Sequence, residues 1–304
     1  MSTQLTILGC GSAKPTRHTT PSSQVLTMRD KQFMIDCGEG AQLTMARVGQ
    51  RQNRLNNIFI SHLHGDHCFG LLGLLSTWAM LGRTRSITIY AYKDLEVLLR
   101  PLMNYFLKDL PYEIVFNNIN PNRHEVIYED RTLSVSTLPL KHRVPCCGFL
   151  FEEKQREPHI IKEMIDVYQI PLSLIPAIKG GADFLCSDGR LIANRFLTRP
   201  AAPPFRYAYC SDTAYDEKLI PLIEGVDCLY HEATYDSSRE ESARNNMHST
   251  ARQAATIARK AGVKKLILGH FSSRIEDHNI LLEEALPIFE NTIIAEDMMK
   301  LTLN

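Results

Sequence analysis

Between Ser61 and His67 the chain reads Ser-His-Leu-His-Gly-Asp-His. In an extended segment, side chains two residues apart point the same way, so His62 and His64 can face one point. Gly65 lets the backbone turn sharply, which would swing Asp66 and His67 toward a second point nearby. Imidazole and carboxylate donors together suit zinc and similar divalent cations. Four side chains cannot close two coordination shells, so further ligands must come from elsewhere. His142, Asp212 and His270 are the candidates. Each follows an apolar run, ending near Leu138, at Tyr209 and at Leu268 respectively. The ends of strands are where open α/β sheets place functional residues. Together with the loop, these three side chains would complete a two-metal site.

The elements that must position these groups alternate strand and helix. Leu5–Leu8 is a short apolar strand, and Ser23–Met28 with Gln32–Ile35 forms a hairpin ending in Asp36-Cys37-Gly38-Glu39-Gly40. Ala41–Val48 is helical, Asn57–Ile60 is the buried strand before the histidine loop, and Leu71–Leu81 is an apolar helix. Ser86–Tyr90 is a strand and Leu95–Leu107 a helix. Tyr112–Phe116, His124–Tyr128 and Leu133–Leu138 follow as strands. The second half repeats the rhythm. Arg206–Tyr209, Cys228–Tyr230 and Leu266–Leu268 read as strands. Tyr215–Ile223, Thr250–Ala261 (capped by Ser249) and Ile280–Phe289 read as helices. The stretch between Glu152 and Pro200 breaks the pattern with prolines, Gly180-Gly181 and an Asp188-Gly189 turn signal. It reads as an insertion at about 152–200 in one domain spanning residues 1–304.

Composition sets the class. The 304 residues carry 34 Lys+Arg against 34 Asp+Glu, with 44% hydrophobic and 22% charged residues, which is ordinary for a globular α/β protein. That argues against disorder, a coiled coil or a globally basic nucleic-acid binder, and leaves a local basic patch open. No apolar run reaches the ~20 residues of a membrane helix, and the N-terminus has no signal-peptide pattern. Eight cysteines are too sparse for a disulfide framework, so the expected compartment is reducing, the cytoplasm.

The run His62-x-His64-x-Asp66-His67, with His142, Asp212 and His270 downstream, resembles the signature of the metallo-β-lactamase superfamily. That resemblance implies a four-layer αβ/βα sandwich with the site at one edge. It implies one metal on His62, His64 and His142, a second on Asp66, His67 and His270, and Asp212 bridging both. Further matches narrow the family. They are His231-Glu232-Ala233-Thr234, Met247-His248-Ser249-Thr250, Gly269-His270-Phe271-Ser272-Ser273-Arg274 and the Asp36–Gly40 run. This set is similar to the short form of ribonuclease Z, from about Leu5 to the C-terminus. It implies a zinc endoribonuclease, with two Zn²⁺ per subunit (Mn²⁺ or Fe²⁺ fit the same donors), that removes 3′ trailers from pre-tRNA. It also implies a homodimer in which the inserted arm of one subunit serves the site of the other. Two features depart from the family. The insert lacks a Gly-Pro-rich tip, and its cationic and anionic residues balance. The loop Pro15-Thr16-Arg17-His18-Thr19-Thr20 lacks the usual Arg-Asn ending.

The residues also suggest a chemistry. Two divalent cations less the charges of Asp66 and Asp212 leave a positive centre, which favours an anionic reacting group such as a phosphodiester. Asp66 can orient the attacking water and take its proton. His248 is the candidate acid for the leaving 3′ oxygen, oriented and kept basic by Glu232. Asp36 reads either as a partner of a ligand histidine or as a turn-forming carboxylate. His18, His124, His159 and His278 read as surface or packing residues, and His231 has no separate role. Cys146 and Cys147 read as buried thiols, and Arg274 as a phosphate contact or a structural ion pair. The alternative function is a small-molecule phosphodiesterase of the same superfamily. A hydrolase of thioesters or β-lactams would not need the His248–Glu232 pair, and a non-catalytic RNA-binding module would not need an intact ligand set.

Overall fold

The computed structural model describes residues 2–304. They form two compact units. One runs to Glu152 and resumes from Phe205 to Asn304; the other spans Glu153–Pro204.

The larger unit is built on two seven-stranded sheets. The first contains, in spatial order, β18 (Lys300–Thr302), β1 (Gln4–Gly9), β2 (Ser23–Met28), β3 (Lys31–Cys37), β4 (Leu55–Phe59), β5 (Ile87–Ala91) and β6 (Ile114–Asn118). From β3 to β6 its neighbours run parallel. The second contains β17 (Thr292–Ile294), β16 (Leu266–Gly269), β15 (Cys228–Glu232), β14 (Arg206–Cys210), β9 (Cys147–Glu153), β8 (Leu133–Pro139) and β7 (Val126–Glu129). From β17 to β14 its neighbours also run parallel. Strands β3, β14, β15 and β16 are buried almost throughout, as strands covered on both sides must be. Phe59 lies 5.4 Å from Phe149 and 5.5 Å from Phe151 between ring centroids, which packs the two sheets face to face.

Helices cover the outer faces. Against the first sheet lie α1 (Ala41–Arg47), α3 (Leu71–Met80) and α4 (Asp94–Phe106). The inward stripe of α3 is Leu71, Leu74, Leu75 and Trp78, which is helical spacing. Against the second lie α9 (Ala251–Lys260), through Ala254, Ala255, Ile257 and Ala258, and α10 (Asn279–Ala285), through Leu281. The unit is therefore a four-layer αβ/βα sandwich, as expected.

Several local expectations need correction. Helix α9 is capped by Thr250 rather than Ser249. Its hydroxyl accepts from the Gln253 amide, and the Gln253 side chain accepts from the Thr250 amide, a reciprocal capping box. Ser249 is occupied elsewhere, donating its hydroxyl to the Thr213 carbonyl at 2.6 Å. The helix expected over 215–223 is a tight 3₁₀ segment, Glu217–Leu222, with Pro221 inside it. The strand expected at 112–116 starts two residues later, because Tyr112 turns its hydroxyl to the Leu75 carbonyl at 2.5 Å. Strands β9, β17 and β18 were not anticipated.

The smaller unit holds two short ribbons, β10 (His159–Ile160) with β13 (Thr198–Arg199) and β11 (Phe184–Leu185) with β12 (Leu191–Ile192). It also holds α5 (Lys162–Tyr168), α6 (Ile175–Lys179) and α7 (Asn194–Leu197). Its own small core is Ile170, Ile178, Phe184, Cys186 and Leu197. Leu172, Leu185, Leu191 and Phe196 are exposed on it.

Candidate metal centre

The site lies where chain segments leave the ends of the strands of both sheets. The loop after β4 carries His62 and His64, and the short helix α2 (Gly65–Cys68) carries Asp66 and His67. His142 follows β8, Asp212 follows β14, and His270 follows β16. At Gly65 the chain turns sharply from the extended His64 into α2, as expected, without a left-handed residue, and a Cβ there would meet only the exposed Phe69 ring. The left-handed backbone falls instead at Asp36 (φ 56°), Asp212 (φ 51°) and His270 (φ 59°). A non-glycine residue pays about 1 kcal/mol or more for that conformation, which persists only where the surroundings enforce it.

The donor atoms form two groups. In the first, His64 Nδ1 lies 3.0 Å from His62 Nε2 and 3.3 Å from His142 Nε2. In the second, His67 Nε2 lies 3.3 Å from His270 Nε2, and Asp66 Oδ2 lies 3.6 and 3.5 Å from those two nitrogens. Asp212 divides its oxygens between them. Oδ1 is 3.1 Å from both His67 and His270, while Oδ2 is 3.5 Å from His62 and 3.7 Å from His142. A tetrahedral shell with metal–nitrogen bonds of about 2.0–2.1 Å separates its ligand atoms by about 3.3–3.4 Å. The observed spacings match that figure, so the residues fit a divalent cation in each group.

Hydrogen bonds behind the histidines fix which nitrogen faces inward. Asp36 is fully buried and accepts from His67 Nδ1 at 2.7 Å, from the Ser61 hydroxyl at 2.9 Å and from the Tyr209 hydroxyl at 2.7 Å. Ser61, having donated its proton to Asp36, can accept from His62 Nδ1 at 3.0 Å. His142 donates from Nδ1 to the Met247 carbonyl at 3.0 Å, and His270 from Nδ1 to the Thr234 hydroxyl at 2.9 Å. A neutral imidazole that donates from Nδ1 presents the Nε2 lone pair. These four rings are thus set to ligate through Nε2, and His64 alone turns Nδ1 inward. Asp36 therefore bonds candidate ligand histidines, His67 directly and His62 through Ser61, rather than serving as a turn former alone.

A second carboxylate organises the opposite side. Glu232, fully buried at the end of β15, accepts from His248 Nδ1 at 2.9 Å and the Thr213 amide at 2.6 Å on Oε1. Its Oε2 accepts from the Thr234 hydroxyl at 2.5 Å and the Ser249 amide at 3.1 Å. Burial by itself would lower the His248 pKa, but the charge and hydrogen bond of Glu232 push it up to about 9. Around His67, burial opposes protonation, yet Asp212, Asp36 and Asp66 together hold its pKa well above the ordinary value. Three carboxylates therefore favour positive charge at that point, which a cation can supply in place of the proton.

The mouth of the site is a cavity of about 580 Å³ lined by His64, His142, His248, Lys14, Arg143 and Arg274, among others. Arg274 forms no ion pair among the described residues. Arg143 donates to the Asn245 carbonyl and the Asn246 side chain, each at 2.7 Å. The remaining histidines lie apart from the donor groups. His124 bonds the Thr137 carbonyl at 2.6 Å, and His278 packs on Phe271. His231 bonds the Glu232 carbonyl at 2.8 Å; His18 and His159 are exposed. Cys146 and Cys147 are buried free thiols. Ser61 and Thr234 were missed from the sequence. Thr234 lies just past the end of β15, two residues after Glu232, and its hydroxyl reaches back to the Glu232 carboxylate.

Residues 3–156 match the family model described as anti-Pycsar protein Apyc1, and residues 196–271 match the beta-lactamase superfamily domain. The chain is 55% identical to ribonuclease Z of Parabacteroides distasonis, over 98% of both chains. It is 52% identical to ribonuclease Z of Bacteroides thetaiotaomicron, over 99% of this chain and 95% of that one. Among solved structures, the short form of human tRNase Z is similar with a TM-score of 0.73 at 24% identity, covering 99% of each chain. The metallo-beta-lactamase fold protein YhfI of Bacillus subtilis follows at 0.69 and 18%, again over 99% of each. At those identities the structures speak to fold alone, and the fold is that of the metallo-β-lactamases. The beta-lactamase superfamily match over residues 196–271 agrees with this fold, and the full-length relatives narrow it further: the chain belongs to the ribonuclease Z family.

Proposed function

We propose that this protein is a metal-dependent endoribonuclease that removes 3′ trailers from tRNA precursors, leaving a 3′ hydroxyl on the tRNA and a 5′ phosphate on the trailer. The observation that carries the reading is the divided carboxylate of Asp212, which joins two cation-sized donor groups beside a buried His248–Glu232 pair. His62, His64 and His142 would hold one divalent cation, Asp66, His67 and His270 the other, with Asp212 shared. When bound, the two cations supply Lewis-acid charge to the phosphoryl oxygens and lower the pKa of the attacking water. Zinc suits the nitrogen-rich donor set, and manganese or iron fit it too.

The chain's own residues then divide the proton work. Asp66 orients the attacking water and accepts its proton. His248, held at Nδ1 by Glu232, keeps Nε2 free to protonate the leaving 3′ oxygen. Lys14, Arg143 and Arg274 line the mouth and supply cationic contacts to the RNA backbone. Residues 153–204 act as the tRNA-contacting arm, and the protein works as a homodimer. All eight cysteines are unpaired, which supports a reducing, cytoplasmic setting. No helix of the described residues is long and apolar enough to cross a membrane.

The test is cleavage of a 3′-extended tRNA transcript by zinc-loaded protein, with both product ends mapped. The expected result is one cut after the discriminator base, abolished by chelator. Metal retained without cleavage would overturn the reading. It would favour hydrolysis of a small phosphodiester, the second reading, which the balanced charge of the inserted segment supports. An aryl phosphodiester assayed in parallel separates the two.

A further inference from the structure

The loop between β1 and β2 reaches into the site through its backbone. The Ala13 amide donates to Asp66 Oδ2 at 2.7 Å, the oxygen that faces His67 and His270. Ala13 takes φ 65°, a left-handed conformation that alanine holds only where its neighbours impose it. The imposition is visible at the two ends of the loop, where a single carboxylate grips both. Asp297, on the segment between β17 and β18, accepts the Cys10 amide on Oδ1 at 3.1 Å. On Oδ2 it accepts the Thr20 amide at 2.6 Å and the Thr20 hydroxyl at 2.7 Å. Between these points the Gly11 amide donates to the Thr20 carbonyl at 2.9 Å. The Ser12 amide donates to the carbonyl of Phe271, the residue after His270, at 3.0 Å. The loop is thus tied at its base by Asp297 and along one side to the segment that carries a candidate ligand.

We propose that Asp297 is a positioning residue for Asp66. It clamps both ends of the loop, so that the Ala13 amide fixes the direction in which Asp66 presents its carboxylate. Asp297 touches none of the candidate ligands and acts only through the loop. A carboxylate is required because both of its oxygens must accept; an amide at this position could accept on only one. The inference rests on the reading of Asp66 as a ligand of the second cation. The Ala13 amide, which Asp297 holds in place, bonds Asp66 directly, and partners bonded directly to a ligand are worth about 10–100-fold in metal affinity or activity.

The experiment is an equilibrium zinc titration of the metal-free protein, paired with kcat and KM on a 3′-extended tRNA transcript. Asp297→Asn is expected to weaken the second zinc equivalent about 10-fold or more and to leave the first unchanged, with kcat falling and KM little altered. Thr20→Val removes one bond to the clamp and should move both readouts in the same direction by less, while Thr20→Ser should restore them. If Asp297→Asn fails to fold, the Thr20 pair carries the test. Asp66→Asn is the reference. Should it leave the second equivalent as tight as in the unmodified protein, the second-cation reading falls and this inference falls with it. Should Asp66→Asn weaken that equivalent while Asp297→Asn and Thr20→Val titrate like the unmodified protein, the clamp alone is overturned.

Discussion

His248 Nδ1 lies 2.9 Å from Oε1 of Glu232, and the glutamate has no exposure to solvent. Glu232 also accepts three backbone amides, of Thr213, Thr234 and Ser249, and the Thr234 hydroxyl, so its own position is over-determined. The pair therefore holds the imidazole in one orientation, with Nε2 free. Replacing His248 with Ala should preserve metal content and slow transcript cleavage by ~10²–10⁴, the usual worth of a positioned proton donor. Turnover retained at normal metal content would remove His248 from the acid role.

The same pair sets a pH dependence. Burial alone would depress His248, but Glu232, and behind it Asp212 and Asp66, raise its pKa to about 9. A proton donor must be protonated, so cleavage should fall as pH rises through about 9. Glu232→Gln keeps an acceptor and removes the charge, and should draw that alkaline limb down toward the ordinary histidine value of about 6.5. The stability contribution has the same sign. The folded pKa exceeds the unfolded one, so the pair stabilises fully below about 6.5 and loses its contribution as pH rises through the folded value. Profiles of kcat/KM against pH for the two proteins decide the point: coincident alkaline limbs would dissociate Glu232 from the titration.

Which parts of this site can be read from sequence follows from where the information lies. His62, His64, Asp66 and His67 announce themselves because side-chain type and local spacing carry the signal. Asp36 does not, because a carboxylate before Cys37-Gly38 serves a turn equally well. Its partner Ser61 is brought near only by the parallel pairing of β3 with β4, in which Ile35 faces Phe59. The cap of α9 was legible after all: of two adjacent hydroxyls, only Thr250 has a glutamine three residues on. The Ala13 contact to Asp66 was beyond reach, since a backbone amide has no residue type to recognise. The late strands β17 and β18 are three residues each, too short for alternation to show.

Asp36 gives a prediction that separates orientation from coordination. It bonds His67 directly and His62 through Ser61, one ring in each donor group. Asp36→Asn removes the charge and one acceptor while nearly conserving volume. Affinity for both zinc equivalents should fall by about 10–100-fold, with cleavage recovering as zinc is raised. The check is activity against free zinc concentration. An unchanged zinc requirement would reduce Asp36 to a structural group.

Asp212 gives the sharpest contrast between variants. Its two oxygens face different donor groups, Oδ1 at 3.1 Å from His67 and His270 and Oδ2 at 3.5 Å from His62. Removing the side chain should therefore damage both cation sites, whereas His64 contributes to one only. Asp212→Ala should lose most bound metal and all detectable cleavage. His64→Ala should lose its own cation first, keep more of the other, and still be inactive, because an in-line displacement needs both the attacking and the leaving oxygen stabilised. Elemental analysis of metal per subunit after dialysis, alongside cleavage of the extended transcript, distinguishes the two. Full activity in either variant with its metal content halved would end the two-metal mechanism, since one occupied group would then suffice for the chemistry.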